Sequence, residues 1–207
     1  MSSFPRPPAS LPGLRPEDVA TIEGETWRVY FSDGPHPGSW RSFRYYGPVV
    51  GGRFDHHVPP QGLSTSRATL YAATDIDTCL AEVFQAGRVI DRHTGTPYLA
   101  AFSPKRPLRL LDVRATWPAR AGVTQILNTG SHRRAHEWSR QFYTDYPDLD
   151  GVLYPSAAAG IIGVNIMLYE RAAAALPTRP LFNEPLTHTG LVLPLRRAAH
   201  RFGYLLI

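Results

Sequence analysis

The sequence predicts an α+β fold in a single domain, with a largely antiparallel or mixed central sheet and flanking helices. The chain has 207 residues, which suits one hydrophobic core rather than two. Hydrophobic residues make up 43% of the chain and charged residues 19%, as in globular proteins. Segments of strand character outnumber helical ones and do not alternate with them regularly, which argues against a parallel α/β sheet.

The N-terminal residues 1–18 are predicted to form a proline-rich tail or clasp outside the catalytic core, which leaves residues 19–207 as the domain. Prolines at positions 5, 7, 8, 12 and 16 remove backbone donors and block helix formation. Thr26–Phe31 is rich in β-branched and aromatic residues and predicts the first strand. Residues 34–68 predict a long irregular segment with short extended pieces at 43–46 and 49–54. Such segments in compact domains are more often functional than idle.

A strand, a tight turn and a helix follow. Thr69–Ala73 predicts the strand, and Asp75 is a capping candidate for a helix that ends near Gly87. Helical spacing places Leu80, Val83 and Phe84 on one side and Glu82 roughly opposite. Glu82 is the only charged residue between Thr78 and Gly87. A lone carboxylate on a helix indicates a cleft or a second contact surface, although a single surface glutamate is the alternative.

The remainder of the chain predicts further strands and two helical pieces. Residues 132–146 form the more convincing helix, because their aromatic and alanine side chains recur at helical spacing. A short helical piece is expected at 123–128. The expected strands lie at 97–102, 108–113, 151–154, 163–169, 190–193 and 204–207.

Composition limits the classes of function. The formal charge of +5 and the pI near 9.6 favour an anionic partner, whether nucleic acid, a phosphorylated small molecule or an acidic protein. Cys79 is the only cysteine, which excludes an internal disulfide and a thiolate metal cage and suits the reducing cytoplasm. The N-terminus has no apolar core of a signal peptide, and no stretch has the roughly 20 apolar residues of a membrane helix.

Two other constellations are weaker. His132 and His136 have metal-ligand spacing, but two arginines and an alanine replace the glutamate that a zinc-protease helix carries between them, so no metal site is predicted. A patch of basic residues could bind nucleic acid, but no known binding module accompanies it. Its members are Arg133, Arg134, Arg196, Arg197 and Arg201.

Four residues are candidates for a ligand site, each with a structural alternative. Arg53 follows two glycines, so a backbone can approach a ligand there and the guanidinium can bind phosphate oxygens. Tyr71 lies in a strand, where ordinary packing is equally compatible. Ser156 follows a proline at a strand end and can cap the backbone or contact a ligand. Asn165 lies in an apolar strand, where its amide needs polar partners.

Together these segments resemble the RES domain, the toxin half of RES/Xre toxin–antitoxin pairs, over residues 26–169. The family is named after an arginine, a glutamate and a serine. The eleven-residue step from Tyr71 to Glu82 and the nine-residue step from Ser156 to Asn165 fit its pattern. The matching segments are Gly52-Arg53-Phe54-Asp55, Leu70-Tyr71-Ala72, Ala81-Glu82-Val83, Tyr154-Pro155-Ser156 and Gly163-Val164-Asn165.

The resemblance implies an ADP-ribosyltransferase-like toxin fold and NAD as substrate, without a metal. Glu82 is then the main catalytic carboxylate, Arg53 binds the pyrophosphate or ribose side, and Tyr71 contacts the nicotinamide ribose. Ser156, Asn165 and Arg28 of the first strand complete the NAD-binding pocket. The implied activity is that of an NAD phosphorylase or NAD glycohydrolase, with inorganic phosphate or water as acceptor. The implied partner is a cognate Xre/DUF2384-type antitoxin in an oligomeric toxin–antitoxin complex.

Three alternatives stay open. The enzyme could instead transfer ADP-ribose to a protein, it could be a basic nucleic-acid-binding module without catalysis, or it could be a degenerate scaffold for its antitoxin. Two departures from the family pattern bear on the pocket. The segment between Arg53 and Tyr71 is long and implies a loop near the pocket mouth. Asp55 stands where many members have asparagine, which is expected to add a negative charge close to an anionic ligand.

Overall fold

A large sheet organises the chain, of which the computed structural model describes residues 4–160 and 163–207. Among these residues, eight strands form one sheet in the order β1-β8-β9-β10-β5-β2-β7-β11, and only the β8/β9 pair is parallel. Two short pairs, β3/β4 and β6/β12, lie outside it. The predicted α+β class with a largely antiparallel sheet is confirmed. The strands are β1 Val19–Ile22, β2 Thr26–Phe31, β3 Tyr46–Gly47, β4 Gly62–Leu63, β5 Thr69–Ala73, β6 Val89–Ile90, β7 Pro97–Phe102, β8 Leu108–Asp112, β9 Gly151–Pro155, β10 Val164–Tyr169, β11 Phe182–Pro185 and β12 Leu205–Leu206.

Capping side chains mark the start of two helices, and a glycine marks the end of a third. Asp75 caps α1, because its carboxylate accepts the Thr78 N–H at 2.8 Å, and Ser131 caps α4 in the same way. Gly203, with φ of 64°, ends α5 in the left-handed conformation that glycine adopts without strain. The α-helices are α1 Ile76–Phe84, α2 Trp117–Arg120, α3 Ile126–Thr129, α4 His132–Asp145 and α5 Val192–Phe202, with 3₁₀ turns at Pro16–Asp18, Glu170–Ala175 and Thr189–Leu191.

The centre of the sheet brings distant parts of the chain together. Strand β10 lies between β9 and β5, so that Asn165 is opposite Tyr154 on one side and Ala73 on the other. Helix α1 follows β5 directly and begins at that end of the strands. A side chain of α1 can therefore meet side chains from the ends of β9 and β10.

Aromatic side chains fill the core between α4 and the sheet. Trp117, Trp138 and Phe142 are fully or almost fully buried and meet edge to face or tilted, with ring centroids 5.1–6.2 Å apart. Phe54, in the segment before β4, packs onto the same cluster at 6.1 Å from Phe142. The loop that carries Arg53 is thus anchored in the core by the residue that follows it.

The proline-rich N-terminus packs along α4. The Trp138 indole N–H donates to the Pro5 carbonyl at 2.9 Å, and the Tyr146 hydroxyl donates to the Pro12 carbonyl at 2.6 Å. The Leu11 N–H donates to Asp145 at 2.9 Å, and the Leu11 side chain is buried. Residues 4–18 therefore form a clasp across the helix, whereas residues 1–3 of the predicted tail lie outside the described residues.

Several predicted elements are wrong or displaced. Residues 190–193 form no strand, because Leu191, Leu195 and Ala198 follow helical spacing and pack inward from a 3₁₀ turn and α5. Residues 49–54 form turns rather than an extended piece, and of the helix expected at 123–128 only residues 126–128 are helical, as part of the short α3. Val83 does not belong to the buried side of α1, since it is 37% exposed.

Glu170 is the centre of a buried hydrogen-bond network that gives a testable pH dependence. Its carboxylate accepts from His56 Nε2 at 3.1 Å, the Ala68 N–H at 3.0 Å and the Tyr143 hydroxyl at 2.5 Å. Burial alone would raise the pKa of Glu170, but these hydrogen bonds outweigh burial and lower the pKa to about 2. Since the folded pKa lies below the unfolded value of about 4.3, the carboxylate stabilises the fold above that value, and this stabilisation is lost as the pH falls towards 2.

We therefore expect Glu170→Gln to flatten the acid limb of the stability curve. The ionised carboxylate contributes about 3 kcal/mol at neutral pH that disappears between about pH 4.5 and pH 2. Urea unfolding at pH 7, 4 and 3 measures this loss, with the exposed Glu23→Gln as control. A difference between wild type and Glu170→Gln that stays constant over this pH range would contradict the assignment.

Candidate active site

A cavity of about 440 Å³ opens where α1 meets the ends of β5, β9 and β10. A cleft of this volume is within the range of small-molecule sites. Five of the six predicted site residues line it, and the sixth, Ser156, is hydrogen-bonded to Glu82. The five are Arg28, Arg53, Tyr71, Glu82 and Asn165.

Glu82 is held by donors from two other elements. Its Oε1 accepts the Ser156 hydroxyl at 2.6 Å and the Asn165 amide at 2.8 Å, and Gln85 Nε2 lies 3.2 Å from Oε2. Ser156 is itself oriented, because its Oγ accepts the Ala159 N–H at 2.8 Å. One carboxylate oxygen is thus fixed by the strand ends, while the other meets only an exposed glutamine among the described residues.

Arg53 extends from the loop before β4 into the same cavity. Its Nη1 donates to the Gly130 carbonyl at 2.9 Å. Burial lowers the pKa of the guanidinium, against the opposing influence of Tyr154 and Glu82. A partly desolvated guanidinium that shares a cavity with a carboxylate makes a strong, directional binding point for an anion.

Arg28 brings a second cation from β2. Its Nη1 and Nη2 lie 3.4 Å from the Tyr71 carbonyl and 3.2 Å from the Ser42 carbonyl, both long contacts. Its Nε is buried and has no hydrogen-bond partner among the described residues. Burial lowers the pKa of Arg28 to about 10, so the side chain remains charged at neutral pH. The wall formed by β2 is therefore positive.

Tyr71 closes the cavity from β5. Its hydroxyl is buried, makes no hydrogen bond to any residue that the structure describes, and has its pKa raised by burial. A Cβ at Gly52 would stand 2.6 Å from this hydroxyl oxygen, so only glycine permits the close approach of the two segments. Of the two glycines before Arg53, Gly52 therefore has a steric role, whereas a Cβ at Gly51 would meet no atom within 4 Å.

Asp55 does not face the cavity as expected from the sequence. Its side chain is fully buried, with Arg44 Nη2 and the Val49 N–H each 2.8 Å from Oδ2 and His57 bound to Oδ1. Burial alone would raise the pKa of Asp55, but these partners hold it well below its usual range. Its charge is neutralised within the loop, so it organises the site rather than opposing an anion.

Sequence reasoning missed Arg44 and Gln85, which also line the cavity. Arg44 binds Asp55 and Thr69, eleven and twenty-five residues away, and no local motif marks such an arrangement. Gln85 could have been found from the sequence, because it lies three residues after Glu82, about one turn further along the predicted helix.

The competing constellations form no ligand site of their own, although His132 is one of the residues that line the cavity. His132 and His136 bond to the carbonyls of Val50 and Gly52, and no group of three or more metal-ligating side chains occurs in residues 4–160 and 163–207. A second cleft of about 550 Å³ at the start of α1 contains Arg197 and Arg201, and both pair with Asp77. Part of the expected basic patch is therefore neutralised.

Comparison with known proteins identifies one family and one fold. The model of the RES domain family matches residues 25–189. A chain from the crystal structure of the M. tuberculosis MbcT–MbcA toxin–antitoxin complex is similar in structure, with a TM-score of 0.54 and 17% identity over 86% of this chain and 92% of that chain. No curated protein matches the sequence. None of the helices described is both long and apolar enough to cross a membrane.

Proposed function

Because the chain belongs to the RES domain family, we propose that it is a toxin that cleaves the nicotinamide–ribose bond of NAD, with phosphate or water as acceptor. The observation that carries this proposal is the carboxylate of Glu82, fixed by Ser156 and Asn165 in a cavity that also holds Arg28 and Arg53, besides Arg44, which is paired with Asp55. The positive arginines suit the negatively charged diphosphate of NAD. The negative carboxylate of Glu82 suits the ribose, which becomes positively charged as the bond breaks.

Glu82 acts on the bond that breaks. As the C–N bond lengthens, its electron pair moves to the nicotinamide nitrogen, and positive charge develops on the ribose C1′. A carboxylate whose orientation is already fixed stabilises that charge without having to reorganise. Ser156 and Asn165 both donate to Oε1, which fixes the orientation of the carboxylate and leaves Oε2 to face the ribose in the proposed complex.

Arg53 and Arg28 bind the remote part of the substrate. Guanidinium groups pair with phosphate oxygens through parallel N–H donors, which fixes orientation as well as position. Tyr71, which lines the same cavity, offers an apolar ring and a hydroxyl to the nicotinamide ribose. Binding energy from the diphosphate then holds C1′ in place for the reaction.

The acceptor completes the chemistry. An oxygen of inorganic phosphate or of water forms the new bond to C1′ as nicotinamide leaves as a neutral base, and a proton is lost to solvent when water attacks. Phosphorolysis gives ADP-ribose phosphate, whereas hydrolysis gives ADP-ribose. Both reactions deplete NAD and would arrest growth.

Incubation of the purified protein with NAD, with and without inorganic phosphate, tests the proposal. We expect release of nicotinamide together with one of these two products, and no release by Glu82→Gln. A labelled protein band would identify ADP-ribose transfer to protein instead. Intact NAD under all conditions, together with salt-sensitive nucleic-acid binding lost on Arg133/Arg134 substitution, would favour the non-catalytic alternative.

We also propose a cognate antitoxin of the Xre type as partner. Support comes from the structural neighbour, which was crystallised as part of a toxin–antitoxin complex. Co-expression with the adjacent gene product, followed by co-purification and rescue of growth, tests this partner. Growth arrest that persists in the presence of a co-purifying partner would contradict the neutralising role.

Gly52→Ala is expected to reduce NAD cleavage about 10-fold without touching Glu82. The new Cβ would lie 2.6 Å from the Tyr71 hydroxyl, so the tyrosine ring or the Arg53 loop must move, and small displacements in an active site are costly. Gly51→Ala is the matched control, because a Cβ there meets no atom within 4 Å. Steady-state rates of the two variants decide the point, and equal losses would contradict the steric explanation.

A further inference from the structure

Helix α4 presents three polar side chains to the loop that carries Arg53. His132, His136 and Ser139 are spaced by four and three residues and so lie on one face of the helix. They contact three alternate backbone carbonyls of residues 50–54, with distances of 2.5, 2.6 and 2.6 Å. The carbonyls belong to Val50, Gly52 and Phe54, respectively.

Of the three contacts, the one from His136 to Gly52 is directly next to Arg53 in the chain. The His136 side chain is buried and bonds through Nε2 to the carbonyl of Gly52, the residue before Arg53. A carbonyl can only accept, so Nε2 carries the proton and donates. Burial lowers the pKa of His136, which favours the neutral ring with that tautomer.

Arg53 is thereby held at two points by one structural unit. Its backbone lies between the Gly52 and Phe54 carbonyls, which His136 and Ser139 bind, and its guanidinium donates to the Gly130 carbonyl just before α4. Loss of the central donor would leave the Gly52 carbonyl buried without its partner and free the loop to shift.

We propose that His136 is a positioning residue for Arg53, which it serves by fixing the Gly52 carbonyl. This proposal rests on the proposed function insofar as Arg53 binds the diphosphate of NAD. Since that contact is remote from the bond that breaks, we expect its loss to weaken binding more than turnover. His132 and His136 have metal-ligand spacing in the sequence, although no metal site is predicted there, and in the structure His136 bonds to a backbone carbonyl.

A double-mutant cycle tests whether His136 acts through Arg53. We expect His136→Ala to raise KM for NAD, and Kd for ADP-ribose, about 10-fold, the usual order for a buried hydrogen bond, with kcat within about 2-fold. In an Arg53→Ala background the same substitution should change Kd less than about 2-fold, whereas in an Arg28→Ala background it should keep its full effect. Equal effects in both backgrounds would overturn the proposal.

Two further variants separate positioning from general stability. His136→Gln retains an N–H donor and is expected to recover most of the affinity, which also covers the case in which His136→Ala does not fold. Gln141→Ala is the control on the same helix, because that half-buried side chain donates to Asp145 and to Ala9 of the clasp rather than to the Arg53 loop. A Gln141→Ala variant that weakens ADP-ribose binding as much as His136→Ala would contradict a role specific to Arg53.

Hydrogen exchange gives a readout that needs no substrate. Amides of residues 49–55 should exchange faster in His136→Ala than in wild type or Gln141→Ala. If wild-type protein leaves NAD intact, the proposed function fails, yet the exchange comparison still decides whether His136 fixes the loop. If NAD is cleaved but exchange at residues 49–55 is unchanged, only the role of His136 is refuted.

Discussion

Glu82→Gln is expected to lower kcat for NAD cleavage about 10³-fold while changing Kd for NAD only a few-fold, the order seen when a fixed charge-stabilising group is removed. The glutamine can still accept from Ser156 and Asn165 through its oxygen, so the pocket keeps its shape. What is lost is the negative charge that, in the proposed mechanism, stabilises the developing cation at C1′. This corresponds to about 4 kcal/mol of transition-state stabilisation.

Single-turnover rates and equilibrium binding of NAD measure the two quantities separately. Ser156→Ala and Asn165→Ala are the companion variants, since each removes one donor to Oε1 and leaves the carboxylate charged. We expect them to lose less than Glu82→Gln. A Glu82→Gln variant with wild-type turnover, or one whose loss lies entirely in binding, would refute the catalytic assignment.

Trp117→Ala is expected to destabilise the fold by about 3–5 kcal/mol, the usual cost of truncating a buried tryptophan. The ring is fully buried and packs edge to face on Trp138, Phe142 and Tyr146. Its indole N–H donates to the Tyr146 hydroxyl at 3.2 Å, and that hydroxyl donates to Pro12. Truncation therefore opens a cavity and removes a partner of the clasp.

Urea unfolding at neutral pH measures this loss, and the expected value is a large part of the roughly 5–15 kcal/mol typical of a domain. Trp117→Phe fills more of the cavity but lacks the N–H donor, so we expect an intermediate loss. A change below about 1 kcal/mol for Trp117→Ala would show that the aromatic cluster between α4 and the sheet does not dominate the core.

Local sequence patterns predicted those elements in which the secondary structure that the residues favour is also the one that the fold adopts. Thr26–Phe31 and Thr69–Ala73 are strands with the predicted bounds, because β-branched and aromatic residues in both pack into the sheet. The run at 190–193 also has apolar character, yet Leu195 and Ala198 beyond it extend a helical pattern that the short window did not reveal. Edge strands such as Phe182–Pro185 were missed, since their half-buried residues give no alternating signal.

The residues of the candidate site also fall into those that the sequence could indicate and those that it could not. Glu82 could be singled out because it is the only charged residue between Thr78 and Gly87, and the structure sets it beside Asn165 and Ser156. The environment of Asp55 could not be read from the sequence, because it depends on Arg44 across a fold of the loop. Distant pairs of this kind need the three-dimensional path of the chain.

The clasp of residues 4–18 has a consequence for the order in which the molecule assembles. Its contacts with α4 and Tyr146 join residues about 134 positions apart in the chain. During synthesis the N-terminal segment must wait until residue 146 has left the ribosome before these contacts can form, and closing so long a loop is slow. Helix α4, which holds the Arg53 loop, and the Ser156 and Asn165 donors to Glu82 also lie in the later part of the chain, so the cavity cannot assemble until most of the chain has been made.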